Sequence, residues 1–280
     1  MSVTGLFAGL ATLDVVQLVD RLPNSNEKTT ARSTWLAAGG PAAVAAITFA
    51  ALGGRARLWT ALGTSPAARL AAADLAGAGV EVVDVASAHF ELAVSTVFVE
   101  AATGQRAVVS GSGHTPTFGK IAGPDLAGVD VVLVDGHHAA LARSAALAAS
   151  GIPVVLDAGS HKPVFDDILG FATDVICSAD YVHPTGLAPR EFLGLGARLV
   201  AVSHGGAALE WWTARGAGTV VPEPVAAVDT VGAGDVLHGA YCHGLASGLD
   251  RLPALQRAAE IASERVRHLG PLAWRAAIAD

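Results

Sequence analysis

Charge is scarce in this chain: only 15% of its 280 residues are Asp, Glu, Lys or Arg, and only 5% are aromatic. The 18 basic residues are outnumbered by 25 acidic ones, giving a net charge of -7, so there is no dense cationic surface for a phosphate backbone and nucleic acid is excluded as a partner. Cysteine is nearly absent. Cys177 and Cys242 are too few for a disulfide framework and sit in apolar surroundings, which reads as two buried free thiols. The N-terminus has no basic segment before its apolar residues, and Asp14 interrupts them, so no signal peptide is expected and the compartment reads as a reduced cytoplasm. Long apolar runs are missing too. Although 52% of residues are hydrophobic and the mean hydropathy is +0.47, no stretch reaches the roughly 18 uninterrupted apolar residues of a membrane span.

What raises the hydropathy is alanine, about a fifth of the chain, which favours helix and buries little area per residue. The length allows one large α/β domain or two small ones, and the pattern favours one domain over 1–280. Short apolar runs at Val3 to Leu10, Arg57 to Thr60, Val80 to Val83, Val129 to Val134, Pro153 to Leu156, Asp174 to Cys177 and Arg198 to Ser203 read as strands. Ala-rich stretches of helical length lie between several of them, including Pro41 to Leu52, Pro66 to Ala76 and Ala139 to Ala149. That alternation predicts a three-layer, doubly wound, mainly parallel sheet. Two β-prone insertions, Asp20 to Leu36 and Leu92 to Ser110 around a Thr103-Gly104 turn, predict a small β lid built from approximately 14–37 and 91–112. Leu209 to Thr213 and Thr219 to Val221 read as a hairpin, with helices after it.

The most informative stretch is Asp229-Thr230-Val231-Gly232-Ala233-Gly234-Asp235. Glycines leading into a helix near Ala233 offer free backbone N–H groups at a positive helix end, which suits a phosphate. A carboxylate at Asp235, in that first turn, repels phosphate unless it has a proton to remove. Read whole, the seven residues resemble the C-terminal signature of the PfkB/ribokinase family of carbohydrate kinases. Other positions match in order and spacing. Asp14 corresponds to an early aspartate at the end of the first strand, Gly39-Gly40 to the turn before a helix, Gly104-Gln105-Arg106 to a lid turn, and Ser203-His204-Gly205 to a segment near the nucleotide.

The resemblance implies an ATP- and Mg²⁺-dependent kinase acting on a hydroxyl of a sugar or sugar derivative. Asp235 would be the general base, and the amides of Gly232, Ala233 and Gly234 would stabilise charge on the transferred group. Asp14, Gly39, Gly40 and Arg106 would meet the sugar, with Lys28 and His137 as candidates for a polar or anionic substituent. Ser203, Gly205, Thr230, Gly232 and Gly234 would meet the nucleotide, with the Ala258 to Arg265 helix near its base. The resemblance also implies a K⁺ site at backbone carbonyls around Asp229 and Val231, and a homodimer formed through the lid, whose sheet would otherwise leave open edges.

The chain departs from the family's commoner form at two places. Pro41 and Val44 stand where many members carry the asparagines of Gly-Gly-Asn-x-x-Asn, and Ser178-Ala179-Asp180-Tyr181 stands where they carry Asn-x-x-Glu. The Gly-Gly-Pro-Ala-Ala turn and Gly-Asp-Val-Leu-His-Gly resemble the sulfofructose kinase branch. With the second motif changed, either Mg²⁺ would rest mainly on the nucleotide phosphates with Asp180 or Asp157 assisting through water, or catalysis would be weakened. A nucleoside or small-alcohol kinase of the same family, and a sugar-binding protein without catalysis, stay open as alternatives. The other histidines and the five tryptophans read as structural. Gly113 to Lys120 is similar to a P-loop, but has a residue too many before Gly119-Lys120 and Ile121 where Ser or Thr is needed, so it is excluded as a phosphate loop.

Overall fold

The computed structural model describes residues 2–87, 89–111, 118 and 121–279; most of the P-loop-like segment, and position 112 at the lid boundary, lie outside the described residues. The chain begins β1 (Thr4–Ala8), β2 (Thr12–Val19), β3 (Ser33–Gly39), α1 (Pro41–Ala51), β4 (Arg55–Thr60), α2 (Pro66–Gly77), β5 (Val80–Asp84), β6 (Val94–Glu100) and β7 (Arg106–Ser110). It continues with β8 (Val131–Val134), α3 (Ala139–Ala148), β9 (Val154–Ala158), α4 (Phe165–Ile168), β10 (Asp174–Ser178) and β11 (Leu199–Ser203). It ends with β12 (Leu209–Thr213), β13 (Gly216–Val220), α5 (Ala233–Ala246), α6 (Arg251–Arg265) and α7 (Arg275–Ile278).

Nine strands form the main sheet in the order β13-β12-β11-β10-β9-β8-β1-β4-β5, with every pairing parallel except β11 with β12 and β12 with β13. Its central strands are continuous apolar runs because both faces are covered. Alternate residues feed opposite layers: Val131 and Leu133 pack with α1, α5 and α6, whereas Val132 and Val134 pack with α3 and α4. The order reverses between β1 and β8, which is where a sheet of this kind opens a crevice at its strand ends.

Small residues let the helices come close. In α1, Ala42, Ala43, Ala45 and Ala46 are fully buried. A Cβ at Gly239 of α5 would lie 2.4 Å from the Ala45 carbonyl, and one at Gly244 would lie 2.9 Å from Ala254 Cβ in α6. The alanine excess is thus spent on helix contacts, and among the described residues no helix is long and apolar enough to cross a membrane. Deep under the sheet, Asp174 is satisfied by Tyr241 Oη (2.8 Å), Thr173 Oγ1 (2.6 Å) and Arg251 Nε (2.7 Å), which ties β10 to α5 and α6.

The second sheet has the order β3-β2-β6-β7, with β2 and β6 parallel and the outer pairs antiparallel. Two expectations change here. Residues 20–32 are not strand; the lid strand that precedes them is Thr12–Val19. Asp14 therefore lies within a lid strand instead of at the end of β1, which stops at Ala8. The break between β1 and β2 follows from Asp135, whose carboxylate takes the Leu10 amide at 2.8 Å and turns the chain out of the main sheet.

Candidate active site

A cleft of about 450 Å³ lies between the lid and the C-terminal ends of the main-sheet strands. Its lid wall is built by strand register. Asp14 on β2 is opposite Ser95 on β6, and Ser95 is opposite Ser110 on β7, so the three side chains form one polar row on one face. Thr12 Oγ1 donates to Asp14 Oδ1 at 2.6 Å, and the Ser95 and Ser110 hydroxyls are 3.0 Å apart. Burial raises the Asp14 pKa, and the hydroxyls of Thr12 and Ser95 counter it. The next row inward is apolar, with Val16, Val97 and Val108 in register, so the wall offers a hydroxyl-binding edge above an apolar surface.

The Gly39-Gly40 turn shapes the same wall. A Cβ at Gly39 would fall 2.0 Å from the Asp14 carboxylate. Gly40 caps α1 at φ 94°, a left-handed conformation that favours glycine, and faces the Leu10 carbonyl. Asp135, at the end of β8, fastens this corner by accepting from the amides of Leu10, Ala42 (3.2 Å) and His137 (2.9 Å). Burial alone would raise its pKa, but the His137 ring and the amides of Leu10 and His137 outweigh burial and hold the carboxyl well below the usual range.

The opposite wall is the start of α5. Gly232 precedes the helix at φ 70°, and it lines the cleft with Gly234, Asp235 and His238. The first-turn amides of a helix have no partner inside it, so this end presents donors and positive potential to the cleft. Asp235 is half-buried here. Burial and repulsion from Asp157 push its pKa up to about 7, against the pull of His238 and Arg106. His238, one turn on and on the same helix face, donates from Nδ1 to the Gly234 carbonyl (2.7 Å), and its Nε2 lies 3.6 Å from Asp157 Oδ1.

The floor comes from the ends of β9, β10 and β11. Ser178 Oγ donates to the Gly159 carbonyl (2.6 Å) and Ser203 Oγ to the Cys177 carbonyl (3.3 Å), so these hydroxyls pin adjacent strand ends. Asp157 and Asp180 stand beside them. Tyr181, the last residue of the altered four-residue motif, is buried against Phe192 and is a core residue. With Asp14, Asp157, Asp180 and Asp235 set against Arg106, the cleft carries excess negative charge. A polyphosphate enters such a site with a divalent cation, and carboxylates are the donors Mg²⁺ accepts.

Several expected site residues lie elsewhere. Lys28 is exposed in the 20–32 loop and does not line the cleft. His137 is exposed beyond β8, with Nδ1 3.4 Å from Asp135 Oδ1, and buttresses that carboxylate. Thr230 Oγ1 donates to the Gly104 carbonyl at 3.0 Å, and the Thr230 carbonyl accepts from Arg106 at 3.1 Å, so this residue latches the lid turn to the signature loop. Gly205 forms a turn after β11 outside the cleft, and none of Ala258 to Arg265 lines it, because Ala258, Ala259 and Arg265 face the buried side of α6. Asp14, Gly40, Arg106, Ser203, Gly232, Gly234 and Asp235 do converge. Ser95, Ser110, Asp157 and His238 join them without having been singled out as site residues, apart from Asp157 as a metal helper.

A second cavity of about 460 Å³ lies at Arg57, Trp59, Phe118 and Asp125, but its charges pair internally, Arg57 with Glu81 (3.5 Å) and Asp125 (4.0 Å). His161, Asp166 and His183 bring ligand-type atoms within 4.8 Å of one another. There the Thr185 amide donates to His183 Nδ1 (3.3 Å), which leaves Nε2–H to donate to Asp166 (3.2 Å), a self-satisfied pair.

Comparison with known proteins identifies the fold and the family. A ribokinase-like protein of Agrobacterium tumefaciens superimposes with a TM-score of 0.88 at 26% identity, covering 99% of this chain and 96% of that one. The ribokinase of Thermotoga maritima gives 0.80 at 20% identity, covering 98% and 95%. An Arabidopsis thaliana ribokinase solved with ribose and ATP gives 0.76 at 21% identity, covering 99% and 98%. The fold is therefore ribokinase-like. Residues 6–185 and 187–274 match the pfkB family carbohydrate kinases, phosphotransferases with alcohol acceptors, and the chain belongs to that family.

Proposed function

We propose that the protein is an ATP-dependent kinase that phosphorylates a hydroxyl of a sugar or sugar derivative, with Asp235 as general base. The observation that carries this reading is the composition of one cleft: a polar row of Asp14, Ser95 and Ser110 on the lid, facing a helix start where Asp235 sits among phosphate-binding amides. Asp14 and the serines orient vicinal hydroxyls, and Val97 and Val108 carry the apolar face of the ring. The acceptor hydroxyl gives its proton to Asp235 as its oxygen bonds to the γ-phosphorus, and the bond from that phosphorus to the bridging oxygen of ADP breaks. Amides of Gly232, Ala233 and Gly234 stabilise charge on the group in transit. Mg²⁺, held by the phosphates with Asp157 and Asp180, would neutralise charge on the triphosphate and leaving group.

The Gly-Gly-Pro-Ala-Ala turn supports a place near the sulfofructose kinase branch. Arg106, the one guanidinium lining the cleft among the described residues, is the group able to meet an acidic substituent there, in preference to the exposed Lys28. The lid's outer strands β3 and β7 leave unpaired edges among the described residues, which supports the lid-mediated homodimer. An ATP-consumption screen over aldoses, ketoses, sulfosugars and nucleosides with Mg²⁺ tests the function. Turnover on a sugar is expected; turnover on nucleosides alone would replace the substrate class, and binding of sugar without ATP consumption would replace the activity.

A further inference from the structure

The family resemblance implies a monovalent cation at carbonyls around Asp229 and Val231, and the residues present do not fit one, because a cationic side chain already stands against the carbonyl and the carboxylate of Asp229. Arg265, the last residue of α6, is 1% exposed and turns back beneath the signature loop. Its Nη1 donates to the His268 carbonyl (2.8 Å) and reaches the Asp229 carbonyl (3.4 Å), while Nη2 lies 3.1 Å from Oδ2 of the fully buried Asp229. Two carbonyls and a carboxylate are the kind of donors a hard cation takes. Here they surround a guanidinium, which is always charged and cannot dissociate.

The rest of the loop hangs from the same point. Asp229 accepts from the amides of Val231 (2.9 Å) and Gly270 (3.0 Å), and the amides of Val228 and Asp229 both donate to the Val266 carbonyl (2.8 and 3.3 Å). Gly232 to Asp235 follow directly, so whatever fixes Asp229 fixes the phosphate cradle and the base.

We propose that Arg265 is a built-in cation that replaces a dissociable monovalent ion, so that the signature loop is held, and nucleotide is bound and used, independently of K⁺. Arg265 is a positioning residue, acting through Asp229. The part concerning turnover rests on the kinase reading above; stability and nucleotide binding do not.

The test compares the full chain in KCl, NaCl and choline chloride at equal ionic strength, reading melting temperature, ADP affinity and, on any accepted sugar, turnover. The wild type should give ADP affinities within about twofold in the three salts and no K⁺-specific rise in melting temperature. Arg265→Ala should bind ADP at least about tenfold more weakly in choline and recover part of that with K⁺, because the substitution opens the oxygen cage to an ion, whereas Arg265→Lys should stay insensitive. Should Arg265→Ala fail to fold with Asp229 stranded, the wild type and Arg265→Lys still decide the matter. A wild type that melts several degrees higher in K⁺ than in choline, or binds ADP about tenfold more tightly there, overturns the proposal. A folded Arg265→Ala protein indifferent to K⁺ does so too. Insensitive melting and ADP binding with no turnover on any sugar would uphold Arg265 and overturn the kinase reading alone.

Discussion

Asp235 and Asp157 share one corner of the cleft, and burial, reinforced by repulsion from Asp157, raises the Asp235 pKa to about 7. Only the ionised form can act as base, so kcat/KM should rise as pH passes upward through about 7 and level off above it, a profile that initial rates at limiting sugar and ATP will trace. The same shift has a sign for stability. Between the ordinary carboxylate range and about 7, the unfolded chain is ionised at this position while the folded one is not, so this residue's contribution to stability falls as pH rises through that window. Asp14→Ala should raise KM for sugar far more than KM for ATP, measured by varying each substrate in turn. Asp235 and the Gly39-Gly40 turn were legible because a motif of fixed spacing surrounds each, and Asp14 was legible by its place ahead of that turn, although its strand was not. Ser95 and Ser110 were not, since a serine in an alternating strand is ordinary until register sets it beside Asp14. Lys28 misled for the opposite reason: a lone cation in a polar segment reads as a ligand group, and only the path of the 20–32 loop takes it away from the cleft.

Among elements, the contact of α1 with α5 explains what the alanines and glycines are for. The two helices meet so closely that Gly239→Ala would drive a methyl group to 2.4 Å from the Ala45 carbonyl, against rigid backbone. Overpacking of this kind costs about 1–3 kcal/mol, which chemical denaturation should detect as a lowered midpoint with an unchanged slope. Because α5 also carries Asp235 and His238, a shift of the helix should lower turnover as well. Main-sheet strands and long helices were readable from runs of apolar residues, to within a few residues at their ends. The lid was harder. Strand β2 continues the apolar character of β1, and nothing local marks the turn at Leu10 that Asp135 imposes from across the sheet. The hairpin after β11 was foreseen, although its second strand begins earlier than expected, at Gly216.

At the scale of the whole molecule, charge is scarce and the candidate site is confined to one cleft. Two sheets meet along one cleft, and four carboxylates are gathered there: Asp14 on the lid row, Asp157 and Asp180 at the strand ends and Asp235 at the start of α5. Small apolar side chains fill the contacts between the layers behind it. In the proposed mechanism phosphoryl transfer depends on a single proton acceptor held at a helix start, so one substitution should separate binding from chemistry. The most direct measurement is the turnover of Asp235→Asn on an accepted sugar, taken beside its ADP affinity and melting temperature. The expected result is a fall of about two to four orders of magnitude in kcat, with folding intact and ADP binding kept. Turnover close to that of the wild type would contradict the assignment of Asp235 as the base and, with it, the reading of the cleft.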